Sequence, residues 1–348
     1  MDKQELKPEP KRRPSMNDVA RLAGVSQTTV SFVINQRNTE NIPQATQKKV
    51  WAAIEELGYR PNAMARSLRS SQSHTIGFVT DEVATSPYAG QIIRGAQEAA
   101  WDEQKLLLLV NTGGNQDIKS AAIDMLLERQ VEGIIYAAGF HRAVSPPDNI
   151  REVPTVLLDC FVADHSLPAV VPDEVQGGKT ATKVLIEQGH TRIGCINSSE
   201  RVPAAIGRLQ GYKDALSEQG LPFDSDLLVE RVLWVPDDGY QATLDLMNRP
   251  NPPTAIFCFN DRTAMGAYRA LAELGLNIPG DVAIMGYDNQ ETTAPWLTPP
   301  LSTMALPHYE MGQWAVQHLI QLIDQPEAVD IPNKQHMITC PFVKRDSV

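Results

Sequence analysis

"NDVARLAGVSQTTVSFVIN", residues 17–35, decides how the first part of this chain folds. Val19, Leu22 and Ala23 recur at helical spacing, and Ser15 followed three residues later by Asp18 has the form of a capping box. Gly24 stops that helix, since it turns left-handed without a Cβ penalty, and Ser26 can cap the next helix after a very short turn. Two helices joined this tightly form a helix-turn-helix. In the second helix, at about 100° per residue, Val30, Val33 and Ile34 share a core-facing side, while Thr28, Ser31, Phe32 and Asn35 face away. A third helix starts near Pro43, a good first-turn residue, turns Val50, Ala53, Ile54 and Leu57 inward and ends at Gly58.

The outward aromatic ring of Phe32 needs a task. The second helix of such a module enters the DNA major groove, where base edges offer donors, acceptors and the thymine methyl. Thr28 and Ser31 can exchange hydrogen bonds there, Gln27 can meet adenine through two, and Phe32 can lie on a thymine methyl. The competing reading packs Phe32 on a neighbouring loop. Charge agrees with the first reading. Residues 1–72 hold 12 Lys and Arg against 7 Asp and Glu, whereas the other 276 residues hold 19 against 35. A basic head on an acidic body suits a protein whose head meets a polyanion.

From residue 73 onward, apolar strand-like runs (75–80, 106–110, 133–137, 155–159, 192–197, 255–260, 282–287) alternate with amphipathic helical patterns (89–104, 118–129, 174–188, 205–219, 238–247, 261–273). That alternation predicts parallel β-α-β units in open doubly wound sheets, and the length suits two lobes. Ligands in such folds bind beyond the carboxyl ends of strands. Asp81, Asp159, Asn260, Asp261 and Asp288 stand at such ends. Carboxylates and amides serve several hydroxyls at once, an arginine such as Arg208 forks onto two, and an indole such as Trp234 covers the apolar face of a sugar ring. Asn260 and Asp288 also suit helix capping, Trp234 also suits a core, and Arg208 also suits a phosphate or carboxylate.

"NDVARLAGVSQTTVSFVIN" followed by "LGYRPNAMARSLRS" (57–70) resembles the headpiece and hinge of the lac repressor and galactose repressor (LacI/GalR) family. The resemblance extends over the whole body. It implies a small all-α helix-turn-helix headpiece plus hinge helix, joined to a two-lobed α/β periplasmic-binding-protein-like domain with two doubly wound parallel sheets. The expected division is a disordered tail (1–15), a DNA-binding domain (16–60), a hinge (61–72) and an effector-binding and dimerisation domain (73–348). Within the last, the N-lobe takes about 73–173 and 306–333, and the C-lobe about 174–305 and 334–348. The DNA-binding residues implied are Gln27, Thr28, Ser31, Phe32 and Asn35 in the headpiece and Asn62, Ala65, Arg66 and the minor-groove wedge Leu68 in the hinge. Phe32 departs from the family, many of whose members carry a guanine-reading arginine there, which points to a half-site richer in A·T. For the effector, Arg208, Trp234, Asn260 and Asp288 match family positions closely, and Asp81, Tyr88, Asp159 and Asp173 match by region.

These readings lead to a homodimeric, cytoplasmic transcriptional regulator, foremost a repressor, whose partners are double-stranded operator DNA and a small-molecule effector, foremost a mono- or oligosaccharide. The alternatives are a phosphate- or purine-bearing ligand, a protein corepressor, or, more remotely, a solute-binding protein. The longest apolar runs fall far short of the roughly 20 residues that cross a bilayer, so no membrane partner is expected. Neither is an enzyme, a cofactor or a metal, because no phosphate loop, nucleophile elbow or metal-spaced histidines occur. Cys160, Cys195, Cys258 and Cys340 lack paired spacing and read as buried thiols of a reducing compartment.

Overall fold

The computed structural model describes residues 12, 14–35, 41–60, 72–81, 83, 90–232, 234–325 and 335–348. The chain divides into two compact units, Met1–Ser73 and His74–Val348. Asn62, Ala65, Arg66, Leu68 and Tyr88 lie outside the described residues.

The first unit holds α1 (Met16–Ala23), α2 (Gln27–Ile34) and α3 (Gln44–Leu57). Both halves of the capping box form, with the Asp18 carboxylate accepting from the Ser15 amide at 2.9 Å. Gly24 ends α1 at φ 67°, and the Ser26 hydroxyl accepts the Thr29 amide at 3.1 Å to open α2. Each such cap contributes about 1 kcal/mol. Val19, Val30, Val33, Val50 and Ala53 build the shared core, with Tyr59 closing it. Three details differ from the sequence reading. Leu22 is 47% exposed, because α1 packs on both neighbours through Val19, Ala20 and Ala23, and small Ala20 takes the buried place. Pro43 stands at the N-cap of α3, one position before its first turn. Ser31 is buried rather than outward, and Asn35 Nδ2 reaches its carbonyl oxygen at 2.7 Å and its hydroxyl at 3.3 Å.

The second unit runs β1 (Thr75–Thr80), α4 (Gly90–Asp102), β2 (Leu106–Asn111), α5 (Gln116–Glu128), β3 (Ile134–Ala143), β4 (Thr155–Phe161), β5 (Ala169–Asp173), α6 (Glu174–Glu187), β6 (Ile193–Ser198), α7 (Pro203–Glu218), β7 (Leu228–Arg231), α8 (Pro236–Met247), β8 (Ala255–Cys258), α9 (Asp261–Glu273), β9 (Ala283–Asp288), β10 (Ser302–Ala305), α10 (His308–Asp324), β11 (Gln335–Thr339) and β12 (Phe342–Val343). Two six-stranded sheets result, ordered β11-β5-β4-β3-β1-β2 and β12-β10-β9-β8-β6-β7. All pairings are parallel except β10 with β12. The central strands are buried on both faces, as helices on either side of a parallel sheet require, and Ile76, Phe78, Ile135 and Leu158 anchor one lobe as Ile256, Phe257, Ile284 and Met285 anchor the other.

The chain passes between the sheets three times, at Asp173 to Glu174, between β10 and α10, and at Cys340–Pro341. The last passage corrects the expected boundary: residues 335–339 pair with β5 in the N-lobe sheet, and only the end of the chain joins the C-lobe. All four cysteines are free and buried, and burial pushes the Cys160 thiol up to about 12. Among the described residues no helix is long and apolar enough to cross a membrane.

Candidate effector cleft and nucleic-acid interface

A cleft of about 700 Å³ opens between the two lobes, at the carboxyl ends of their strands. Its deepest polar feature comes from the crossing of α6 and α7. A Cβ on Gly178 would lie 2.3 Å from the Arg208 carbonyl oxygen, and one on Gly207 would lie 2.6 Å from Glu174 Cβ. Only glycine permits that approach, and it sets the first turn of α6 against α7. Glu174 and Arg208 thereby meet in the interior: Arg208 Nε donates to Glu174 Oε2 at 2.8 Å and Nη2 donates to Oε1 at 3.3 Å. Nη1 donates to the Phe259 carbonyl at 2.6 Å and lies 3.6 Å from Asp288 Oδ1. The guanidinium plane is covered by the Tyr287 ring, 3.6 Å from its centroid. Burial opposes the charge, but Glu174 and its neighbours outweigh it and keep Arg208 ionised.

Asp159 and Asp288 line the same cavity from opposite lobes. Burial raises the Asp159 carboxyl well above the usual range, and Glu174 adds to the effect. Burial also pushes Asp288 up to about 6, against the pull of Arg208. Gln290 Nε2 donates to Asp288 Oδ2 at 3.0 Å. The wall between them is aromatic: Trp234 meets Phe140 edge-on at 5.7 Å and Phe259 at 5.4 Å, and its indole N–H donates to the Ser198 hydroxyl. Asp159, Trp234, Asp288 and Asn289, four of eight non-glycine residues with positive φ among those described, all line the cleft. Backbone strain of about 1–3 kcal/mol per residue concentrates where a ligand is to be gripped.

Of the residues expected from sequence, Asp159, Arg208, Trp234, Asn260 and Asp288 converge on this cavity. Two do not line it. Asp81 is buried and does not face it, accepting the Gly139 amide at 3.0 Å and pairing with Arg142, so it braces the irregular stretch of β3 that carries Phe140. Asp173 caps α6 by accepting the Gln176 amide at 2.9 Å. Asn260 does two things at once, capping α9 and lining the cleft. Sequence reasoning missed Glu174, an ordinary first-turn acid in appearance, and Phe140, His141, Phe259 and Gln290. Phe140 and His141 come from a register shift in β3 between Ala137 and Arg142, which has no apolar signature. Both His141 ring nitrogens and Gln290 Oε1 are buried without a hydrogen-bond partner, which makes them candidate ligand contacts. Burial lowers the His141 pKa and favours its neutral form.

On the headpiece, α2 presents Gln27 and Thr28 exposed, as is its C-cap Asn35, and Phe32 partly buried. Phe32 thus keeps part of its side chain exposed beside polar neighbours on the outer face of the helix.

A helix-turn-helix unit followed by a two-lobed α/β body with a polar, aromatic-walled cleft defines a ligand-responsive DNA-binding regulator. Residues 15–62 match the model for bacterial regulatory proteins of the lacI family, and residues 73–346 match the model for periplasmic binding proteins and the sugar binding domain of the LacI family. The chain belongs to the LacI family. The ribose operon repressor of Escherichia coli (strain K12) is 37% identical over 317 residues, covering 90% of this chain and 94% of the relative. The HTH-type transcriptional repressor PurR of Vibrio atlanticus (strain LGP32) is 35% identical over 311 residues, covering 89% and 92%. Among solved structures, the lac repressor dimer bound to operator and the anti-inducer ONPF superposes with a TM-score of 0.79 at 27% identity, covering 97% of this chain and 99% of that one.

Proposed function

We propose that the protein is a cytoplasmic, homodimeric repressor that holds a pseudo-palindromic operator through paired headpieces (16–60) and hinges (61–72) and is governed by a sugar in the interlobe cleft. The observation that carries the sugar reading is the convergence of Asp159, Asp288 and Arg208 beside Trp234: clustered acceptors and donors suit adjacent hydroxyls, and the indole suits a pyranose or furanose face. The relatives named as ribose operon repressors and the lac repressor dimer on its operator support the same reading.

Control follows from linkage. A sugar that prefers one lobe arrangement shifts the population of that arrangement and with it the spacing of the paired hinges. An effector preferring the DNA-free form by about 100-fold shifts the operator equilibrium by roughly 2.7 kcal/mol. The test is calorimetric titration of the purified protein with D-ribose and a panel of other mono- and disaccharides, followed by an operator mobility-shift assay with any sugar that binds. A sugar that binds and changes operator affinity is expected. Failure of every sugar in the first step rejects the sugar, and failure to retain any promoter fragment rejects the repressor.

A further inference from the structure

We propose that Glu174 is a specificity-determining residue that occupies the anion-receiving fork of Arg208, so that the cleft accepts uncharged polyols and turns away phosphate- and carboxylate-bearing ligands. The proposal rests on the reading of the cleft as the effector site and deepens it. A guanidinium has five N–H donors, and its strength as an anion receptor lies in presenting two of them in parallel. In Arg208 the Nε and Nη2 edge is already closed by the two oxygens of Glu174, at 2.8 and 3.3 Å. A third N–H is held by the Phe259 carbonyl at 2.6 Å. Two aromatic rings also lie against the guanidinium, Tyr287 at 3.6 Å and Phe259 at 4.8 Å. What remains for a ligand is one N–H on each terminal nitrogen, and Nη1 already has Asp288 Oδ1 at 3.6 Å, so a second anion would have to share that end with a carboxylate.

The surroundings sharpen the selection. Asp159, Glu174 and Asp288 all border the cavity, and Asp288 Oδ1 stands 3.6 Å from the remaining reach of Arg208. A hydroxyl donates to such a carboxylate while accepting from the arginine. A phosphoester dianion has only acceptors to offer and meets the Glu174 carboxylate as a like charge. Glu174 stands where it does for a reason internal to this chain: the glycines of the α6 and α7 crossing bring the first turn of α6 within reach of Arg208.

The test uses the full-length protein and inorganic phosphate, followed by 31P line broadening and calorimetry, on wild type, Glu174→Gln, Glu174→Asp and the double variant Glu174→Gln/Arg208→Gln, with thermal melts reporting folding. Wild type is expected to show no saturable phosphate binding. Glu174→Gln frees the fork and should gain phosphate affinity by at least about tenfold, Glu174→Asp, whose shorter carboxylate retains the charge and the fold, should gain less, and the double variant should lose the gain. Saturable phosphate binding by wild type that the double variant lacks overturns the proposal. So does a folded Glu174→Gln or Glu174→Asp that stays as indifferent to phosphate as wild type. The phosphate measurements report on Arg208 whatever the effector is, so a failed sugar panel counts against the sugar reading alone.

Discussion

Asn260 ties Trp234 to helix α9: its Oδ1 accepts the Thr263 amide at 2.8 Å, and its Nδ2 donates to the Trp234 carbonyl at 3.4 Å. The aromatic plate of the cleft, held at a backbone φ of 57°, is therefore suspended from a helix cap. Asn260→Ala should lower stability by about 1–2 kcal/mol and weaken effector binding. Asn260→Asp keeps the cap oxygen but not the amide donor, so it should nearly preserve stability while still weakening effector binding. Thermal melts and effector titration on the two variants separate these effects, and equal losses in both assays would refute the double role.

Trp234→Ala should abolish the response to effector while leaving operator affinity of the ligand-free protein unchanged. Trp234 lies at the cleft wall and contributes nothing to the headpiece core. Mobility shifts with and without effector decide it. An operator affinity that falls in the ligand-free variant would mean that the indole supports the fold rather than the ligand.

Asp288 predicts a pH dependence. Burial raises its pKa from the ordinary 3.8 to about 6, against the pull of Arg208. Between those values the folded protein keeps a proton that the unfolded chain releases. This carboxyl's contribution is thus fully present below about pH 4 and is lost as pH rises through about 6, on the order of a few kcal/mol in all. Asp288→Asn removes the titration, so the stability of wild type minus that of the variant should fall across this window. Denaturant melts at stepped pH measure the difference, and a flat difference contradicts the buried assignment.

Phe32→Arg should move the preferred base at its contact toward guanine by roughly 1–3 kcal/mol, read from a selected-site profile of wild type and variant. An unchanged profile would remove Phe32 from the groove and return it to the headpiece surface, where its side chain is already partly buried.

Much of this molecule could be read before folding, and the failures have physical causes. The strands at 75–80 and 255–258 announce themselves as apolar runs between turns, whereas β7 ("LVER") and β10 ("STMA") are four residues each and carry no such run. Asp288 was legible because a doubly wound sheet places strand ends at the ligand, and Asp159 because it closes the apolar run of β4, although that strand continues to Phe161. Glu174 was not, since its meeting with Arg208 depends on how closely two helices cross, 34 residues apart along the chain. Ser31 was misread for a related reason: an eight-residue helix squeezed between two neighbours buries more than one clean stripe.

One of the three passages between lobes, at Cys340–Pro341, runs directly from sheet to sheet and has a mechanical meaning. Thr339 belongs to one sheet and Phe342 to the other, so Cys340 and Pro341 alone separate two hydrogen-bonded ladders. A tether of two residues cannot lengthen. Relative motion of the lobes must therefore swing about this point like a door on its pin, with the largest excursions at the parts of the body farthest from it.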